Sequence, residues 1–254
     1  NITALEIEGT FDDCQRLAKE AFVDEELKSK LNLSSANSIN IARLIPQSFY
    51  YINAVKQFLK EEAVISIPSG NLGNLTAGLF AKKMGAPISN FIAATNSNKV
   101  FTDYLNTGKF SPRNSVLTYS NAMDVGNPSN LERIQYLYNF NLLQIQKDIS
   151  SFSFNDEETL SAIKDVFLKY NYIIDPHGAV GYLALKKYFK NNTYPKKIGI
   201  VAETAHASKF LNIVENAIQN KVEIPNRLKI ILEKEKHSIK LDNKFNSLKE
   251  FLLQ

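Results

Sequence analysis

The stretch Val64-Ile65-Ser66-Ile67-Pro68-Ser69-Gly70-Asn71-Leu72-Gly73-Asn74 decides the class of fold. Val64 to Ile67 reads as a short buried strand that stops at Pro68, and the loop after it opens a helix whose apolar positions Leu75, Leu79 and Met84 run to a Gly85-Ala86-Pro87 stop. A strand, a polar glycine loop and a helix in this order suit a phosphate dianion. Glycines let the backbone come close to a ligand, and amide N–H groups point at the anion from the positive end of the helix. For a loop with two glycines alone, an ordinary strand-to-helix turn is a close competitor. The Lys-Ser/Thr pair of a P-loop is missing, as is the third glycine of a dinucleotide fingerprint, so a nucleotide is the weaker version of the phosphate ligand.

Outward from this stretch, short β-branched runs alternate with longer helical patterns, which predicts an α/β fold around a largely parallel sheet. Strands are expected at 2–7, 91–94 and 198–201. Helices are expected at 11–31, 38–60, up to about Gly108, at 157–169 and 178–189, and from about Lys209. Residues 121–130 read as turn-rich, and Asp12 and Asp13 as helix-start residues. Glu233-Lys234-Glu235-Lys236 alternates in sign and reads as a solvated helix face. His177, His206 and His237 show no metal-ligand spacing, and no repeat or low-complexity linker is present.

Two further clusters hold groups suited to anions or ligands. Asn37-Ser38-Ile39-Asn40-Ile41-Ala42-Arg43 gathers amides, a hydroxyl and a guanidinium that can fork around a second anion; a capping Ser38 with surface neighbours is the first alternative. Thr204-Ala205-His206 stands at the C-terminal end of a strand, the edge where open α/β sheets hold ligands, although Thr204 could equally cap the next helix. Asp175-Pro176-His177-Gly178 reads as a turn and helix start in which His177 is structural.

A chain of 254 residues, 44% hydrophobic and 22% charged, can bury a sizeable core in one or two domains. No apolar run approaches the roughly 18 residues of a membrane span, and the first residues lack a signal peptide's basic start and apolar core. The lone Cys14 supports no internal disulfide and is expected as a small buried hydrophobe, so the cytoplasm is the expected location. The net charge of +4 is spread along the chain, and neither a nucleic acid nor a membrane is expected as partner. Because the first residue is Asn1 and not Met, the chain is expected to be processed, truncated or partly represented.

Seven segments together resemble the threonine synthase family, particularly its bacterial and fungal branch, across essentially the whole chain. They are Glu8 to Gln15, Ser35 to Asn40, Ser69 to Asn74, Ile92 to Asn96, Ala122 to Asn130, Asp175 to His177 and Thr204 to His206. The resemblance implies a fold-type-II pyridoxal-phosphate (PLP) enzyme, similar to the β subunit of tryptophan synthase. It also implies conversion of O-phosphohomoserine and water into L-threonine and phosphate. Ser69, Gly70, Asn71, Leu72, Gly73 and Asn74 would hold the cofactor's phosphate, Thr204 would face its pyridine nitrogen, and Asn37, Ser38 and Arg43 would grip the substrate's phosphate. Residues 1–36 would finish the smaller, mobile domain, and 37–254 would form most of the PLP-binding domain with C-terminal helices.

Two departures from the family's pattern stand out. Ala207-Ser208-Lys209-Phe210 replaces its Pro-Ala-Lys-Phe run, and the Phe-Lys-Asp segment that bears the Schiff-base lysine does not occur in these residues. The lysine is therefore expected upstream, in a missing N-terminal part of the same enzyme, and the chain alone is expected to be inactive. Nothing marks Lys82, Lys83 or Lys209 as a buried amine. The alternatives are a related PLP-dependent phospholyase or dehydratase, or a non-catalytic remnant that binds a phosphate ligand.

Overall fold

A computed structural model of the chain describes residues 2–58, 61–191 and 197–254. They form two compact units: the residues up to Ser35 together with Ile224–Gln254, and Ala36–Glu223. In the first unit, β1 (Leu5–Glu8) leads to α1 (Phe11–Val23). A reciprocal cap fixes the start of α1: Asp13 N–H donates to Thr10 Oγ1 (3.3 Å) and Thr10 N–H donates to Asp13 Oδ2 (2.8 Å). The single helix expected over 11–31 breaks at Asp24. The backbone there is extended, and its carboxylate accepts Leu27 N–H (2.9 Å) to start α2 (Glu25–Lys30). An aspartate in a helical run competes for backbone donors in this way. Cys14, expected to be buried, is exposed, because α1 turns Gln15, Leu17 and Ala21 inward instead.

The second unit opens with a 3₁₀ turn, Ile41–Arg43, capped by Asn40 and not by Ser38, and α3 (Leu44–Lys56) follows. The helix expected from Ser38 thus starts at Leu44, and its expected end at Lys60 lies outside the described residues. Next come β2 (Glu62–Pro68), α4 (Gly73–Lys83), β3 (Ile88–Thr95), α5 (Val100–Thr107) and a 3₁₀ turn at Asn121–Met123. Three elements without a sequence signal follow: α6 (Leu131–Leu137), α7 (Leu142–Asp148) and β4 (Ile149–Ser153). The unit continues with α8 (Asp156–Tyr170), α9 (Pro176–Asn191), β5 (Lys197–Val201), a 3₁₀ turn at Ala207–Phe210 and α10 (Leu211–Ile218).

The four strands form one parallel sheet in the order β4-β3-β2-β5. Central parallel strands are covered on both faces, so β2 is buried from Ala63 to Pro68. Alternation divides its side chains: Ile65 and Ile67 pack with Phe91, Tyr51, Leu75 and Leu79 on one face, and Val64 packs with Ile92, Ala94, Val180 and Ala184 on the other. The loop after β2 therefore leaves from the rigid middle of the unit.

The chain ends in α11 (Asn226–Leu232), β6 (Ile239–Asp242) and α12 (Phe245–Leu252). The sequence analysis placed these residues with 37–223, whereas here they join the residues up to Ser35. The cause is a parallel pairing of β6 with β1, from Leu5↔Ile239 to Glu8↔Asp242, supported by ion pairs from Lys249 to Asp24 (2.9 Å) and from Lys236 to Glu6 (2.7 Å). No local pattern encodes such a pairing. The run Glu233–Lys236, expected as a helix face, follows the end of α11 instead, since charges alternating at adjacent positions do not meet along a helix. No helix among the described residues is long and apolar enough to cross a membrane.

Phe91 is fully buried and meets Tyr51 edge-on, with ring centroids 5.8 Å apart. Phe91→Ala is expected to lower stability by about 3–5 kcal/mol, the usual cost of removing a core aromatic, read as a drop in the urea midpoint at unchanged slope. A loss under about 1 kcal/mol would contradict the two-faced core described here.

Candidate functional site

The loop that leaves β2 is held at both ends. Ser69 N–H donates to the Ala94 carbonyl (2.8 Å), which prolongs the β2–β3 ladder by one residue, and Ser69 Oγ donates to the Ile67 carbonyl (2.8 Å). At the other end Leu72 takes the left-handed conformation, φ 62°, which costs a leucine about 1–2 kcal/mol. Its side chain is buried in the core, and its carbonyl accepts Thr76 N–H (2.9 Å) and Thr76 Oγ1 (2.8 Å), so the surroundings hold the strain in place. That Thr76 bond is the first of α4. The amides of Gly73, Asn74 and Leu75 precede it, at the positive end of the helix.

Side chains tie the loop to three other segments. Asn71 Nδ2 donates to Ser38 Oγ (2.8 Å), and Asn71 Oδ1 accepts both Ser129 N–H (2.7 Å) and Ser129 Oγ (2.9 Å). The Asn71 carbonyl accepts Asn130 Nδ2 (2.9 Å). Arg133 on α6 donates to Asn130 Oδ1 (2.6 Å), to the Ser38 carbonyl (2.8 Å) and to the Ile39 carbonyl, which pins the 38–39 backbone to the loop. Asn74 Oδ1 accepts the hydroxyls of Tyr51 (2.5 Å) and Tyr50.

Both glycines of the loop are explained by close approach of protein to protein. A Cβ at Gly70 would stand 2.7 Å from Met123 Cα, and one at Gly73 would stand 2.8 Å from Ser38 Cβ. The sequence analysis had the glycines admit a ligand; here their missing side chains admit the turn at 121–123 and the 37–38 segment. That turn is braced from behind by the buried carboxylate of Asp124, whose Oδ1 accepts Asn96 Nδ2 (2.8 Å), Asn98 Nδ2 (3.0 Å) and Thr118 Oγ1 (2.7 Å).

These contacts enclose a cavity of about 670 Å³, walled by the loop 69–74, Ser38, Met123, His177, Glu203 and Thr204. The structure thus brings together the glycine loop, Ser38 and Thr204, which lie far apart in sequence. Asn37 and Arg43 are not on the wall. Asn37 Oδ1 accepts Ser38 Oγ (3.0 Å) and so orients that hydroxyl, and Arg43 ends the 3₁₀ turn with an exposed side chain. Thr204 does not cap the following turn; His206 does, accepting Ser208 N–H (3.1 Å). Among the described residues the Thr204 hydroxyl makes no hydrogen bond, which leaves it free for a ligand.

Three residues of functional weight escaped the sequence analysis or were read as purely structural. Arg133 lies on a helix with no visible signal. His177 is buried, its Nδ1 is 2.7 Å from Asp175 Oδ1, and its Nε2 accepts Ala122 N–H (3.2 Å), so the ring proton sits on Nδ1. Glu203 is exposed as a residue, yet its carboxyl turns inward against Asp175. Burial first, and then hydrogen bonding and repulsion from Asp175, push it up to about 8. Its signal was its place at the strand end beside Thr204. A smaller cavity of about 220 Å³ adjoins, with Asn121 and Lys209 on its wall. No lysine lines the larger one among the described residues, and Lys82 is paired with Asp148 (2.8 Å).

Residues 178–252 match the family model described as Threonine synthase, C-terminal. Over its whole length the chain is 41% identical to threonine synthase of Buchnera aphidicola subsp. Acyrthosiphon pisum, of which it covers 58%. The crystal structure of threonine synthase from Escherichia coli is similar at a TM-score of 0.91 and 38% identity, over 99% of this chain and 58% of that one. The PLP-bound threonine synthase from Brucella melitensis is similar at a TM-score of 0.84 and 30% identity, over 99% of this chain and 59% of that one. The chain spans less than two thirds of the length of these relatives.

The contact between Gly73 and Ser38 supplies a test of the loop's packing. Gly73→Ala is expected to cost about 1–3 kcal/mol through overpacking, and Ser38→Gly is expected to relieve most of that cost in the double variant. Equal costs in both backgrounds, read from chemical unfolding, would separate the two residues.

Proposed function

Since the chain is homologous along its whole length to the C-terminal portion of threonine synthases, and shares their fold-type-II α/β architecture, we propose that it supplies the cofactor-phosphate and substrate-phosphate sites of such an enzyme. The reaction would be that of the family, O-phosphohomoserine and water to L-threonine and phosphate. One observation carries the reading: the glycine loop, Ser38 and Thr204 meet on one cavity of about 670 Å³.

The residues present fit PLP. The amides at the start of α4 offer donors and a positive dipole to its phosphate, and the unbonded Thr204 hydroxyl stands at the end of β5 for its pyridine nitrogen. Being neutral, Thr204 would bond that nitrogen without enforcing its protonation. When bound, PLP would delocalise the carbanions that α- and β-proton removal creates. The chain's own residues have other tasks. Ser38, pinned through Arg133, would turn its hydroxyl proton from Asn37 Oδ1 to the substrate's phosphate and steady it as it leaves, with Arg43 supplying the positive charge of the cluster. The turn at 122–123, held by His177, would close one side of the cavity against water.

In this reading Ala36–Glu223 is the cofactor-binding unit, the other unit belongs to the smaller domain, and the enzyme works in the cytoplasm. The lysine that anchors the cofactor is assigned to a part of the enzyme outside these 254 residues, because none lines the cavity among the described ones.

With PLP and borohydride, the chain by itself is expected to give only scattered, substoichiometric lysine labelling. Joined to the complementary portion of the E. coli relative, it is expected to form threonine from O-phosphohomoserine. In that assembly Ser38→Ala should lower kcat/KM by about 1.5–3 kcal/mol, the worth of a hydrogen bond to a charged group, with PLP content unchanged. Stoichiometric labelling of one lysine in the chain alone would overturn the assignment of the anchor. Turnover of threonine in preference to O-phosphohomoserine would favour a dehydratase, and PLP retention without any turnover would favour a non-catalytic ligand-binding protein.

A further inference from the structure

Beside Thr204, Glu203 on the cavity wall meets the carboxyl of Asp175 buried behind it, and neither has a task in the function proposed above. Asp175 is fully buried at the start of α9. Its Oδ1 accepts His177 N–H (2.8 Å) and lies 2.7 Å from Nδ1, whereas its Oδ2 is buried without a hydrogen-bond partner among the described residues. An orphaned carboxylate oxygen in such a place is costly. Opposite stands Glu203, at the end of β5. Its Oε1 accepts Asp175 N–H at the long distance of 3.5 Å, and its Oε2 fills the space that a Cβ at Gly178 would need. Gly178 is thus what lets the carboxyl turn inward.

Two carboxyls this close, one of them fully buried, resist ionising together. Burial raises both. Hydrogen bonds from His177 and Glu203 then hold Asp175 below its ordinary value, while Asp175 drives Glu203 further up, the direction that favours a proton shared by the pair on Glu203. The other titratable groups around it are His177 on α9, Tyr172, whose phenol is raised by burial and then by both carboxyls, and Lys209 across the smaller cavity.

We propose that Glu203 is a positioning residue: its carboxyl donates a hydrogen bond to Asp175 Oδ2, clamps the end of β5 to the first turn of α9, and so holds the adjoining Thr204 hydroxyl at the cavity wall. The chain of bonds then continues. Asp175 fixes the His177 ring, His177 Nε2 holds Ala122 N–H, and the 122–123 turn rests on Gly70. One run of contacts thereby links the strand end that carries Thr204 to the glycine loop. What this does for a cofactor rests on the role proposed for Thr204; the clamp itself rests on the carboxyl geometry alone.

Heteronuclear NMR of the labelled chain, followed from pH 6 to pH 9.5, tests the clamp without ligand or turnover. The Glu203 carboxyl carbon is expected to titrate near pH 8, with the amides of Thr204 and His177 following the same midpoint. Glu203→Gln keeps a neutral donor, so it should leave those amides at their low-pH positions and silence their response, whereas Glu203→Ala should displace them throughout. Stability supplies a second readout. The native chain keeps the Glu203 proton up to about pH 8 and the unfolded chain releases it at the ordinary carboxylate value, so stability should fall as pH rises between those points, and Glu203→Gln should flatten that fall. Titration of Glu203 in the ordinary range, or a Thr204 amide indifferent to it, overturns the proposal; the wild-type titration decides this even if a variant fails to fold. An intact clamp with unaltered PLP binding in Thr204→Val, measured on the assembled enzyme, would count against the role of Thr204 and not against the clamp.

Discussion

The side-chain amide of Asn71 is the joint on which the candidate site hangs. Its nitrogen reaches Ser38 and its oxygen receives Ser129, so a single planar group fixes the distance between the 37–38 segment and the 128–130 turn. Neither segment belongs to the sheet. Each is placed by what it bonds to, and both bond to a loop that leaves the end of a strand buried on both faces. Position therefore passes outward from β2 through one amide to the hydroxyl that faces the cavity. Arg133 repeats the connection at the backbone, so the arrangement is braced twice.

This economy has a cost, carried by the loop itself. Leu72 is held left-handed, Gly70 and Gly73 surrender side chains, and Asp124 is kept in a buried position that raises its carboxyl despite three donors on one oxygen. Each feature is unfavourable alone and supported by its neighbours. Such local departures from ordinary preference gather where a protein must hold polar groups toward a ligand. The rest of the unit shows the opposite habit, with a capping box at α8 and strands that alternate cleanly between two cores.

What the sequence showed was the part that local chemistry encodes. The β2–loop–α4 order, the strands β3 and β5, and helices α8 and α9 each carry their pattern within a dozen residues, and seven motifs in family order carried the resemblance. Where contacts between distant residues decide, the reading failed. The cluster Asn37 to Arg43 was visible as a run of anion-binding groups, but not that Arg133, ninety-five residues on from Ser38, holds its backbone. The seven-residue helices α6 and α7 and the serine-rich β4 are too short to show a period, and Glu203 gained its meaning only from Asp175. The partition of residues 224–254 needed the pairing of β6 with β1, which no window of sequence contains.

That pairing has a consequence for how the protein is made. β1 emerges from the ribosome well before its partner β6, which follows only after the whole of Ala36–Glu223, a delay on the order of ten to fifty seconds at usual elongation rates. During that interval the sheet of the larger unit can assemble from neighbours already synthesised, while the nascent first strand remains an open edge without its mate. Such an edge is a template for wrong partners. The unit 36–223 can thus close before the strand that precedes it finds its place.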